Sequence, residues 1–197
     1  MSKASNSLGG RLALLSSAEL SKAQKQLYDR MGSTMIARAK RSGFQGADEA
    51  GHLIGPFNPL LYSPASTEGW LSFTQAEEKN GTLSERERCV VSLSVGSVWK
   101  AVYELYAQSA LAREAGISEE AIAALIAGKG SDDLTDKENI AQRFTRQLIA
   151  THVVDDTLYS QTRDAFGNQG LVDICYVAGR YLTVSALLRA FDVPAPK

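Results

Sequence analysis

Between residues 65 and 193 this chain contains no proline; its five prolines are Pro56, Pro59, Pro64, Pro194 and Pro196. Proline fixes φ and removes a backbone donor, so a long run without it is open to continuous helix. Helix-start signals recur through and around that run. Ser16 with Glu19, Ser84 with Glu87 and Thr135 with Glu138 each fit a capping box, in which hydroxyl and carboxylate satisfy orphan amides reciprocally. Ser63-Pro64 offers a capping hydroxyl followed by proline at the first helical position. Gly116, Gly128, Gly130 and Gly167 punctuate the ends. The pattern predicts helices near 17–41, 64–79, 84–98, 101–115, 118–127, 135–151, 156–166 and 169–190. No segment alternates with the period of two that a half-buried strand needs, so the fold class is all-α. The stretch Ser42–Tyr62, rich in Gly and Pro, reads as one long irregular loop.

Composition excludes several classes of function. Hydrophobic residues make up 44% of 197, enough for a real core. Lys+Arg 21 against Asp+Glu 22 supplies no global field for a polyanion, so no nucleic-acid partner is expected. Cys89 and Cys175 are too few for a disulfide framework or a four-cysteine zinc site, and no metal is expected. The apolar segment Leu171–Leu188 is interrupted by Asp173, Arg180 and Ser185, which predicts a buried helix and no membrane partner. The opening residues MSKASNSLGG lack the apolar stretch of a secretory signal, so a cytoplasmic location with free thiols is the expectation.

Chemistry concentrates on the predicted helix 101–115. At about 100° per residue, Ala101, Glu104, Gln108, Leu111 and Ala115 share one face. Glu104 is thus a carboxylate on a stripe otherwise small or apolar. Burial raises a carboxyl pKa, which is what a general acid near neutral pH requires. An acidic residue in a first helical turn is also favoured by the dipole alone, so a purely structural role stays open. Gln108, one turn on, is placed to hold that carboxyl or a substrate oxygen, and Tyr103 supplies a nearby hydroxyl. His52, in the Gly-rich loop, is the candidate second proton carrier because imidazole titrates near neutrality. Arg180 interrupts the apolar final helix and is a candidate for binding a substrate carboxylate, or else for pairing with an acidic side chain at a subunit contact. His152, near a helix end, and the run Arg38-Ala-Lys-Arg41 read as structural, the latter as a solvated helix terminus.

Leu83-Ser84-Glu85-Arg86-Glu87-Arg88, Tyr103-Glu104, LAREAGIS at Leu111–Ser118, THVVDD at Thr151–Asp156 and FGNQGLVD at Phe166–Asp173 resemble carboxymuconolactone decarboxylase-like proteins of the alkylhydroperoxidase D-like superfamily. Gly55-Pro56-Phe57 before Ser63-Pro64 resembles longer members. The resemblance spans about residues 55–190. It implies a domain at 55–197, preceded by an N-terminal helix-plus-loop extension at 1–54, and a homo-oligomer, trimeric or hexameric.

Peroxidase-type members carry Cys-x-x-Cys followed by histidine at the start of this helix; here Ala101, Glu104 and Gln108 occupy those positions. Decarboxylase-type members carry a Tyr-Glu-Trp-x-x-His arrangement, of which Tyr103 and Glu104 remain while Leu105 and Gln108 replace the last two. An amide does not shuttle protons, so half of the implied acid–base pair is gone. The resemblance thus implies a cofactor-free lyase transferring a proton on a small unsaturated or lactone carboxylate, with Glu104 and His52 catalytic and Gln108, Tyr103 and Arg180 binding substrate. Two other readings stay open. One is an alkylhydroperoxidase-like peroxidase or redox protein, disfavoured by the missing Cys-x-x-Cys. The other is a non-catalytic oligomer that binds a ligand.

Overall fold

The computed structural model describes residues 8–197; residues 1–7, which open both the predicted extension and MSKASNSLGG, lie outside the described residues. In chain order the helices are α1 (Lys22–Met31), a π-helical turn (Gly32–Ile36), α2 (Ala37–Arg41), α3 (Phe57–Leu61), α4 (Pro64–Asn80), α5 (Glu85–Trp99), α6 (Val102–Glu114), α7 (Glu119–Ile126), α8 (Asp136–Thr151) and α9 (Asp156–Ala190). The only extended pairing among the described residues is an isolated Ala47–Leu53 bridge, so the fold is all-α.

Capping chemistry sets the boundaries. Ser84 accepts from the Glu87 amide and Glu87 answers at the Ser84 amide, closing the box that starts α5. Thr135 and Glu138 do the same for α8. At the N-terminus the box expected at Ser16/Glu19 is a turn, and α1 starts at Lys22 behind a Ser21/Gln24 box. Glutamine completes a capping box as well as glutamate, and the chain uses the later pair. Ser63 occupies the cap position of α4 without a capping bond, so Pro64 with its preset φ carries that start. Gly116 (φ 78°) and Gly128 (φ 77°) end α6 and α7 in left-handed geometry. Gly167 (φ 68°, ψ 177°) breaks α9 into the two helices that the sequence predicts.

Two departures bear on function. The predicted helix 17–41 is not uniform: the Ala37 amide donates to the Gly32 carbonyl five residues back, the signature of a π turn. The Ser33 and Thr34 hydroxyls bond the Arg30 carbonyl beside it. The stretch 42–62, expected to be wholly irregular, contains α3, whose five residues are all buried. Pro56 presets the entry to that turn, and Pro59 falls early enough in it that its missing amide costs nothing.

The main core joins α5, α7, α8 and α9 through Val90, Val91, Leu93, Leu125, Phe144, Ile174 and Val177. A second cluster sets Tyr103 and Ala107 of α6 against Phe44, Ile54, Val184 and Leu188. A third seats Leu27 and Met31 of α1 on Leu53, Phe57, Leu61 and Leu71. The N-terminal segment is therefore packed onto α3, α4 and the loop before them, and the three clusters leave a cavity where their edges meet.

Candidate active site

That cavity, about 260 Å³, lies between α1, α2, α4, α6 and α9. Glu104, in the first turn of α6, projects into it with 2% of its surface exposed. Oε1 of Glu104 is buried with no hydrogen-bond partner. Burial in apolar surroundings pushes its carboxyl up to about 8, and the charge of Arg180 pulls only weakly the other way. Glu104 is therefore mostly protonated at neutral pH. Gly96 favours this placement: a Cβ there would stand 3.1 Å from Glu104 Cγ, so a larger residue would press the Glu104 side chain aside by a few tenths of an ångström.

Gln108 follows Glu104 by one turn and borders the same cavity. Its Oε1 lies 2.8 Å from the Ser92 hydroxyl, whose single proton it shares with the Cys89 carbonyl at 3.0 Å. The Gln108 amide nitrogen is the group left to meet a ligand. Tyr103 also lines the cavity, but its hydroxyl donates to the Gln45 carbonyl, and burial holds that phenol well above its usual range. Its ring packs on Gly55, which adopts φ 62°.

Arg180 lines the cavity wall with its guanidinium already engaged. Nη1 is 2.6 Å from Glu78 Oε1 and 3.6 Å from Glu77 Oε2, both on α4. Glu77 in turn pairs with Arg88 at 2.5 Å. The acidic partners considered for Arg180 at a subunit contact thus lie within its own chain. His52 stands apart from the other candidates and does not line the cavity. Its Nδ1 lies 2.8 Å from Asp48 Oδ2, and its backbone amide donates to Asp48 Oδ1 at 2.8 Å. Burial raises the Asp48 carboxyl, yet these His52 bonds outweigh it and hold the group below its usual range. The structure thus brings together Glu104, Gln108, Tyr103 and Arg180, and leaves His52 outside.

Sequence reasoning missed the outer wall. Arg30, Thr34, Arg38 and Arg41 face the cavity from the N-terminal segment, and Phe44, Phe57 and Trp70 supply its apolar surface. The available signal was the spacing of 30, 34, 38 and 41, which keeps to one helical stripe.

Behind Gln108 a second cavity of about 220 Å³ shares Arg38, Gln108 and Arg180 with the first and reaches Cys89. Burial pushes the Cys89 thiol up to about 12 and also raises Cys175; both are free. Among the described residues no group of three or more His, Cys, Asp or Glu side chains is placed to hold a metal ion.

Residues 64–147 match the carboxymuconolactone decarboxylase family. No curated protein matches the chain. Among solved structures, an uncharacterized peroxidase-related protein from Silicibacter sp. TM1040 superposes with TM-score 0.72 at 14% identity, covering 99% of this chain and 96% of that one. The alkylhydroperoxidase AhpD core structure of an uncharacterized peroxidase-related protein from Ralstonia eutropha JMP134 gives TM-score 0.72 at 13% identity, covering 96% and 93%. The debrominase Bmp8 in complex with 2,3,4-tribromopyrrole gives TM-score 0.69 at 12% identity, covering 98% and 93%. At these identities the superpositions establish a shared fold. Its central helices thus match the carboxymuconolactone decarboxylase family, and the chain shares its fold with these alkylhydroperoxidase-related structures.

Proposed function

We propose that this protein is a cofactor-free, lyase-type enzyme that transfers a proton at carbon on a small unsaturated or lactone carboxylate, with Glu104 as acid and base. The observation that carries this reading is the Glu104 carboxyl: buried, without a hydrogen bond at Oε1, raised to about 8 and facing a cavity. A carboxyl with that titration is protonated at neutral pH yet only slightly weaker as an acid than the medium requires, which suits general acid–base work. Glu104 as carboxylate takes the proton from carbon as the C–H electrons move into the adjacent carbonyl, and as carboxylic acid returns a proton to carbon as those electrons flow back. Gln108 offers its amide N–H to the substrate carbonyl one helical turn away. His52 has no part in this reading, because it does not line the cavity.

The cavity is smaller than a typical drug-sized site of roughly 300–1,000 Å³, which restricts its occupant to a compact molecule. Phe44, Phe57 and Trp70 suit an unsaturated or planar one. The debrominase complex is an instance of this fold holding a small ring. A thiol-based peroxidase reading is disfavoured by Cys89, since a peroxidatic cysteine needs a depressed pKa and burial does the opposite here.

The test is proton exchange at carbon. A panel of small unsaturated and lactone carboxylates in D2O is followed by proton NMR with the wild-type protein and Glu104→Gln. The expected result is deuterium incorporation or turnover by the wild type, reduced at least about 100-fold in the variant. Equal rates in the two proteins, or no exchange by the wild type across the panel, would overturn the proposal.

A further inference from the structure

Four arginines converge on the Glu104 cavity, and they are not equivalent. Arg180 is held by Glu78 and Glu77, and Arg30 by Glu68 and Gln75. Arg38 has only a loose 3.6 Å contact with Glu85, whose side chain is 76% exposed. Arg41 has no carboxylate partner among the described residues. A chain with net charge −1 thus places two uncommitted cations at the rim of one apolar cavity. An exposed cation gains little from a solvated carboxylate, but much more from one held in a fixed position against a desolvating wall.

At about 100° per residue, Arg38 stands about 80° and Arg41 about 20° around an α-helical axis from Arg30, within one broad stripe. With the π turn at Gly32–Ile36 between them, Thr34, Arg38 and Arg41 line the cavity together with Arg30. A π turn costs hydrogen-bond regularity and occurs often at functional sites.

We propose that Arg38 and Arg41 of the N-terminal segment form the anion grip of this site, holding the carboxylate of a compact unsaturated acid at the mouth while its apolar body lies against Phe44 and Trp70. The inference rests on the reading of this cavity as the substrate site. It moves substrate-carboxylate binding from Arg180 to α2. Arg180, tied to α4, then serves as a fixed wall charge.

Binding separates this proposal from proton transfer. Calorimetric titration of the full-length protein with trans-cinnamate and with neutral cinnamamide measures the preference for the acid. The wild type is expected to bind the acid more tightly, with affinity falling as salt rises. The double variant Arg38→Gln/Arg41→Gln is expected to weaken cinnamate roughly tenfold, the size of one charge-assisted contact, and to leave cinnamamide unchanged. Arg163→Gln, on an exposed part of α9, serves as the charge control and should match the wild type. Wild-type indifference between acid and amide, failure of the wild type to bind either, or an intact acid preference in the double variant would each overturn the assignment. Glu104→Gln should keep the acid preference. If the arginine variant loses that preference while Glu104→Gln leaves carbon-proton exchange untouched, the grip stands and the proton-transfer reading falls.

Discussion

Arg180 Nη1 lies 2.6 Å from Glu78 Oε1, across the contact between α9 and α4, on the wall shared by both cavities. The pair sets the charge that Glu104 feels. Arg180 favours the Glu104 carboxylate, and Glu78 offsets that cation. Glu78→Gln removes a negative charge and leaves Arg180 less compensated. Both changes favour ionised Glu104, so its pKa is expected to fall below about 8. The acid limb of the pH–rate profile, or a carbon-13 titration of the Glu104 carboxyl, should move to lower pH; a rise would contradict this electrostatic account.

Glu104 also makes folding pH-dependent. Unfolded, the carboxyl titrates near 4.5; folded, it titrates near 8. Between those values the native chain holds a proton that the unfolded chain has released, so stability falls as pH rises through the window. Glu104→Gln has no such proton. The variant is therefore expected to gain on the wild type by on the order of a few kcal/mol between about pH 5 and pH 8. Urea unfolding at several pH values measures this, and parallel curves for the two proteins would exclude it.

The thiols should react in an order set by burial. Cys89 is buried and pushed up to about 12, whereas Cys175 is half-buried and raised less. Alkylation of the native protein at mildly alkaline pH, read by peptide mass spectrometry, should modify Cys175 first and Cys89 only on unfolding. Faster labelling of Cys89 would instead mark it as an activated thiol.

Gly55 supports the site from the loop side. It sits at φ 62°, and a Cβ there would overlap the Tyr103 ring. Gly55→Ala adds backbone strain and forces Tyr103 out of the cavity wall. The expected cost is roughly 2–5 kcal/mol, visible as a lowered denaturation midpoint. A variant as stable as the wild type would show that the loop relaxes freely.

Much of the helical plan was legible in local chemistry. Ser84/Glu87 and Thr135/Glu138 cap where their spacing implies, and Gly116, Gly128 and Gly167 stop helices because left-handed backbone suits glycine. Glu104 and Gln108 share a face because they are four residues apart on one helix, and both border the cavity. His52 shows the limit: a loop histidine has no periodicity to fix its direction, and the nearby Asp48 captures it. Arg38 and Arg41 read as a solvated helix end, because one-dimensional spacing does not say what a helix end packs beside.

By itself, then, the sequence determined the all-α class, most helix boundaries and the presence of an acidic residue on an otherwise apolar helix face. These follow from capping, proline placement and a 3.6-residue period, which act within a few residues. Only the tertiary structure decided that Glu104 is desolvated, that Arg180 is committed to Glu78, and that Arg38 and Arg41 stand at the rim of the same cavity. Desolvation and charge pairing depend on which distant surfaces meet, and here those surfaces come from opposite ends of the chain.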